Sequence, residues 1–164
     1  MKDHPIKRLE MYIPIADIHV KRIEDALCSL KTLLPLTGSN YHTLSIEQLG
    51  CLDLLTNRFA KLQDLIGAKI FPLLLTLLDE TIEEKTAIDR LNILEKLHLL
   101  PSRQQWLDWR EVRNDITHEY PCETASLIDK TNAALDTVQL LTTYWHQLRP
   151  QIIEIKNTYE TART

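Results

Sequence analysis

The sequence predicts an all-α protein built as an up-and-down bundle of about five helices. Only three of the 164 residues are glycine, whereas Leu, Glu, Lys, Ala and Gln are abundant, a composition that favours helix over sheet. Apolar residues recur at spacings of three and four along most of the chain, the period of one face of a helix. Ser-x-x-Gln patterns at Ser45 and Ser102 supply capping boxes, in which the Ser oxygen and the Gln side chain each satisfy an amide that an opening helix leaves bare.

Residues 1–12 are polar and read as a loose lead-in. The first helix is expected over 14–34, with Pro14 in its first turn and Ile15, Ile18, Ile23, Ala26, Leu27, Leu30, Leu33 and Leu34 in period. Pro35 followed by Thr37-Gly38-Ser39-Asn40 reads as the clearest loop. From Ser45 a long second helix runs to about Leu78 on Leu49, Leu52, Leu55, Phe59, Leu62, Ile66, Ile70 and Leu73. Pro72 should kink it, because proline removes one backbone donor and crowds the carbonyl of Ala68.

Asp79 to Thr86 is a charged break before a third helix over 87–99, closed by Pro101. A fourth helix opens at Ser102, and Tyr120, standing before Pro121, marks its end. The fifth starts at Glu123 or Thr124 and carries Leu127, Ile128, Ala134, Leu135, Val138, Leu141, Trp145 and Leu148. Pro150 should kink or end it, leaving 150–164 as a tail with a short frayed helix. The whole chain, 1–164, is read as a single domain, long enough to bury a core without metal or disulfide support.

Charge and motifs exclude much. A net charge of −4 argues against a generic nucleic-acid coat, so any phosphate binding must be local. Cys28, Cys51 and Cys122 form no C-x-x-C pair, which suits a reducing cytoplasm. The N-terminus lacks the apolar run of a signal peptide, and the apolar stretch at 70–78 is too short to span a bilayer, so a cytoplasmic protein with no membrane partner is expected. No phosphate loop, dinucleotide fingerprint, nucleophile elbow or H-E-x-x-H is present, and the six His show no ligand spacing; neither metal nor cofactor is expected.

The densest chemistry lies in Ser102 to Tyr120. Drawn as a helix, this stretch places Arg103, Trp106, Arg110, Arg113, Thr117 and Tyr120 on one stripe, with Trp109, Val112 and Ile116 beside it as an anchoring strip. Within it stands R-N-x3-H-x-Y: Arg113, Asn114, His118 and Tyr120. Composition alone yields an R-x4-H in about one such chain in three, but a Tyr two residues further on lowers this to roughly one in a hundred. Each residue also has a plain structural role open to it. Arg113 suits a salt bridge across helices, His118 suits a helix C-terminal cap, Arg103 and Arg110 suit solvent, and the three Trp suit the core. Arg58 and Lys61 are expected to pair with Asp or Glu, and Cys122 to be inert.

The R-x4-H-x-Y string resembles that of the HEPN superfamily, small helical bundles with an Arg and His late in the fold. The string Asn57-Arg58-Phe59-Ala60-Lys61-Leu62-Gln63-Asp64 and the tryptophans ahead of the motif resemble it less specifically, and the likeness spans about residues 10–148. It implies a metal-independent endoribonuclease toxin of a toxin-antitoxin pair, neutralised by a minimal nucleotidyltransferase antitoxin. The alternative it implies is a non-catalytic nucleotide- or substrate-binding subunit of that nucleotidyltransferase.

On this footing Arg113 and His118 are the catalytic candidates. Imidazole exchanges protons near neutrality, and a forked guanidinium meets the charge that gathers on phosphate oxygens. Asn114, Tyr120 and Arg110 are the supporting, phosphate-binding candidates. Arg113 and His118 lie about 140° apart on an ideal helix, so one straight helix cannot aim both at one phosphorus. A homodimer with the site at its interface solves this, and the resemblance implies the same arrangement. It further implies that Tyr120 is a site of adenylate modification, placing negative phosphate beside Arg113.

Overall fold

The computed structural model describes residues 4–81, 84–117 and 123–162. Every regular element among these is helical: α1 (Pro5–Leu30), α2 (Gly38–Tyr41), α3 (Ile46–Leu65), a π-helical turn (Ile66–Ile70), α4 (Phe71–Leu77), α5 (Ala87–Lys96), α6 (Arg103–Thr117) and α7 (Thr124–Thr161). Helix α1 packs along α3, α3 touches α6, α6 lies on α7, and α7 returns to α1, so four long helices enclose one core. The short α5 bridges α4 and α6 at one end.

Helix α1 begins nine residues earlier than the sequence suggested. Pro5 takes the first-turn position expected of Pro14, which stands inside the helix. The buried stripe is Ile6, Leu9, Ile13, Ala16, Val20, Ile23, Ala26 and Leu30, spaced by three and four from within the supposed lead-in. Ile15 and Ile18, read as core, are 38% and 50% exposed. The lead-in folds because Ile6, Leu9 and Ile13 find a buried seat, and that burial outweighs one hydrogen bond lost at Pro14.

The connection after α1 is also more ordered than a plain loop. The Thr37 oxygen accepts from the Asn40 amide at 3.2 Å and the Asn40 side chain accepts from the Thr37 amide at 2.8 Å, a capping box that opens α2. Asn132 on α7 then holds Leu36 from both sides, accepting from its amide and donating to its carbonyl, each at 2.9 Å. The box at Ser45 forms as expected, with Gln48 reciprocating. A further one at Thr86 and Asp89 opens α5.

Pro72 acts a turn earlier than a simple kink would. The Phe71 amide bonds to the Ile66 carbonyl, a five-residue step, so the ladder widens just ahead of the proline that cannot donate. Helices α4 and α5 end with Asp79 and His98 in the left-handed region, each at φ 57°. The amides that follow, Glu80 and Leu99, return to Leu75 and Leu94 at 2.9 Å, closing both helices before Pro101 is reached.

Helix α7 runs unbroken through Pro150, correcting the expected break and frayed tail. Pro150 is exposed while Leu148 and Ile152 on either side are buried. A polar ladder clamps the same segment antiparallel to α1: Lys156 to Glu10 at 2.9 Å, Arg149 to Asp17 at 2.9 Å, and His146 to Glu24 at 2.8 Å. Asp17 also accepts from the Trp145 indole at 2.9 Å, tying a fully buried ring to the rim of the bundle. No described helix is long and apolar enough to cross a membrane.

Candidate functional site

Helix α6 sorts its residues much as its sequence indicates. Trp106 and Trp109 are buried, and Val112 and Ile116 are half-buried against the core. The two indoles meet Tyr144 of α7 at centroid distances of 6.2 and 5.9 Å, and Trp106 meets Phe71 at 4.8 Å. The Tyr144 hydroxyl donates to the Leu99 carbonyl at 2.7 Å, and burial pushes this phenol far above its ordinary pKa. All three tryptophans are therefore core residues.

Beside this aromatic wall opens a cavity of about 290 Å³ between the π turn, α5 and α6. Its floor is apolar, with Phe71, Leu91, Leu94 and Trp106. Its rim carries three guanidinium groups, Arg90 from α5 and Arg110 and Arg113 from α6, together with Asp64 and Gln63 from α3. The wall at Gly67 is close to the indole: a β-carbon there would stand 3.0 Å from Trp106 Cζ2. Gln63 is buried, and its amide nitrogen is enclosed with no hydrogen-bond partner among the described residues.

Arg113 is held by an acid. Its Nη2 donates to Asp64 Oδ2 at 2.6 Å, with the two side chains 28% and 62% exposed, and its Nη1 donates to Asn114 Oδ1 at 3.0 Å. The salt bridge across helices, open to Arg113 from the sequence, is what this residue makes. The pair is solvent-accessible, so a phosphate can compete with Asp64 for the guanidinium at modest cost. Arg110 is exposed at the same rim. Arg103 is not part of it: its guanidinium donates to Asn92 at 2.9 Å and its amide to Glu95 at 3.0 Å, anchoring the start of α6 to α5.

His118, Tyr120 and Cys122 lie outside the described residues, as does the end of α6 expected near Tyr120. The structure thus brings together Trp106, Arg110 and Arg113, with Asn114 beside Arg113. It adds Arg90, Gln63, Asp64 and Gly67, which the sequence did not single out as site residues. Asp64 and Gln63 had one available signal, their place in the NRFAKLQD string; Arg90 had none, since only the packing of α5 on α6 carries it to the rim.

Among the described residues no three His, Cys, Asp or Glu side chains stand close enough to hold a metal ion. A second departure from expectation lies on α3, where neither Arg58 nor Lys61 pairs with a carboxylate among the described residues. Arg58 Nη1 instead faces Nδ1 of the buried His19 at 3.3 Å. In comparisons with known proteins no family model matches the chain, and neither a curated protein nor a solved structure does.

Proposed function

We propose that the chain is a metal-independent endoribonuclease acting as a toxin, with Arg113 and His118 as its catalytic pair. The observation that carries this is the rim of three arginines, contributed by two helices, above an apolar floor in a chain of net charge −4. Such a local concentration of guanidinium groups suits a phosphodiester, whose oxygens accept paired N–H bonds. His118, five residues after Arg113 in the sequence, supplies the imidazole. In this proposal the imidazole exchanges the proton of the 2′-hydroxyl or the leaving 5′-oxygen, and Arg113, exchanging Asp64 for phosphate, meets the charge on the equatorial oxygens.

A homodimer belongs to the same proposal, since two copies facing each other would bring an Arg113 and a His118 to one phosphate. So does a nucleotidyltransferase antitoxin that modifies Tyr120 with adenylate, placing a phosphate where the arginines would otherwise receive RNA. The test is cleavage of RNA by the purified chain in EDTA. Activity that survives chelation and disappears in His118→Ala and Arg113→Ala, with growth arrest confined to wild type, supports the proposal. Retention of full cleavage by both variants would overturn it.

A second reading, a non-catalytic subunit that binds a nucleotide for a nucleotidyltransferase, draws on the cavity itself. At about 290 Å³ with an apolar floor and a charged rim it approaches the size of small-ligand pockets. Saturable nucleotide binding by a protein that never cuts RNA would select this reading.

A further inference from the structure

A half-buried cation is normally answered by a carboxylate, because taking the charge from water costs more than packing returns. Arg58 departs from this. Among the described residues its guanidinium meets only the ring nitrogen of His19, at 3.3 Å, and its Nε is enclosed without a hydrogen-bond partner. Arginine is donor only, so Nδ1 of His19 must accept, which fixes the imidazole as neutral with its proton on Nε2. Burial first, then the charges of Arg58, Lys61 and Arg22, hold this imidazole below its ordinary pKa.

Among the described residues the charges that bear on His19 are all basic. Lys61 stands one turn beyond Arg58 on α3, and Arg22 one turn beyond His19 on α1, the helix packed against it. The acids at comparable spacing are engaged elsewhere, Asp25 with Lys21 and Asp64 with Arg113. Arg58 touches His19, and the charges of Lys61 and Arg22 bear on the same imidazole, in a protein whose overall charge is −4. Arg58 and Gln63 point about 140° apart around α3, so this cluster lies on a different face from the cavity at α6.

We propose that Arg58, Lys61 and Arg22, with His19 orienting Arg58, form an anion site that binds the phosphate group of a nucleotide or nucleic acid. The guanidinium fork of Arg58 supplies two parallel N–H bonds, and the exposed Lys61 closes on a third oxygen. His19 accepts from the far edge of the guanidinium and keeps its donors turned outward. The site is independent of the RNA-cleavage proposal and stands or falls on its own residues.

The test uses the full chain and sulfate, whose charge does not change across the working pH range, with the His19 ring resonances as the local readout. Wild type should show a saturable shift of His19 on sulfate addition. Arg58→Gln should weaken that binding about tenfold or more, as expected for loss of a charge-assisted fork. Lys61→Gln, at an exposed position that tolerates substitution, should weaken it severalfold even if Arg58→Gln folds poorly. Arg113→Gln should leave it unchanged, which separates this site from the α6 rim. Competition then identifies the source: displacement of sulfate by a short single-stranded RNA assigns the site to a polynucleotide backbone, and displacement by a mononucleotide alone assigns it to a free phosphate ester. Absence of a saturable His19 shift, or an undiminished one in both Arg58→Gln and Lys61→Gln, overturns the proposal.

Discussion

Gly67 lies beneath the indole of Trp106 with little room for a methyl group: a β-carbon at that position would meet Cζ2 at 3.0 Å, so the ring would have to give by a few tenths of an ångström. The indole cannot yield easily, being wedged between Phe71, Trp109 and Tyr144. Gly67→Ala should therefore destabilise the fold by about 1–2 kcal/mol, overpacking outweighing the better helix propensity of Ala. Gly50→Ala, in the second turn of α3 with nothing within 4 Å, should instead stabilise by about 0.5–1 kcal/mol. Urea denaturation of the two variants against wild type checks the opposite signs.

Tyr144→Phe removes the hydroxyl that caps the Leu99 carbonyl just before Pro101. With the phenol buried, the loss should cost about 1–2 kcal/mol and loosen the link between α5 and α6. Denaturation measures the first effect, and faster amide hydrogen exchange at Leu99 and Leu100 the second.

Asp64→Asn leaves Arg113 in place but removes the charge that competes for it. Stability should change by less than about 1 kcal/mol, because the pair is solvent-accessible. Binding of a short RNA should tighten severalfold at low salt and lose the gain as salt rises. Weaker binding in Asp64→Asn would show that the carboxylate itself contacts the ligand.

The imidazole of His19 gives a pH dependence of definite sign. Its folded-state pKa lies below the value of 6.5 it has when free, so the unfolded chain binds this proton first as pH falls. Stability is lost from about pH 6.5 downward until the folded-state pKa is reached, and none of this loss arises above neutrality. His19→Gln, which keeps an acceptor for Arg58, should flatten that part of the profile relative to wild type. Denaturation midpoints at pH 7.5, 6.5 and 5.5 decide it: equal slopes in both proteins would refute the assignment.

What could be read from the sequence was what each helix determines for itself. Ser45 and Gln48 cap α3 as their spacing demands, and Leu52, Leu55, Phe59 and Leu62 are buried in period. Pro14 suits a helix start, which would put Ile15 and Ile18 on the buried face of α1; only packing shows that Ile6 and Leu9 are core. Pro150 failed to break α7 for a similar reason: the clamp of Asp17 on Trp145 and Arg149 joins positions more than 120 residues apart. At the site, Arg110 and Arg113 were legible as neighbours one turn apart. Arg90, and Asp64 as the partner of Arg113, were not, because those relationships exist only once α3 and α5 lie against α6.

The widened turn at Ile66–Ile70 spends one more residue than regular winding requires. Everything downstream inherits that phase, and removing the surplus would swing Leu73, Leu74 and Leu77 by about 100° relative to Phe59 and Leu62. Drift in chain length is thus ruled out at Gly67 and Ala68. The shape of the arginine-rimmed cavity is set by residue count as much as by residue identity.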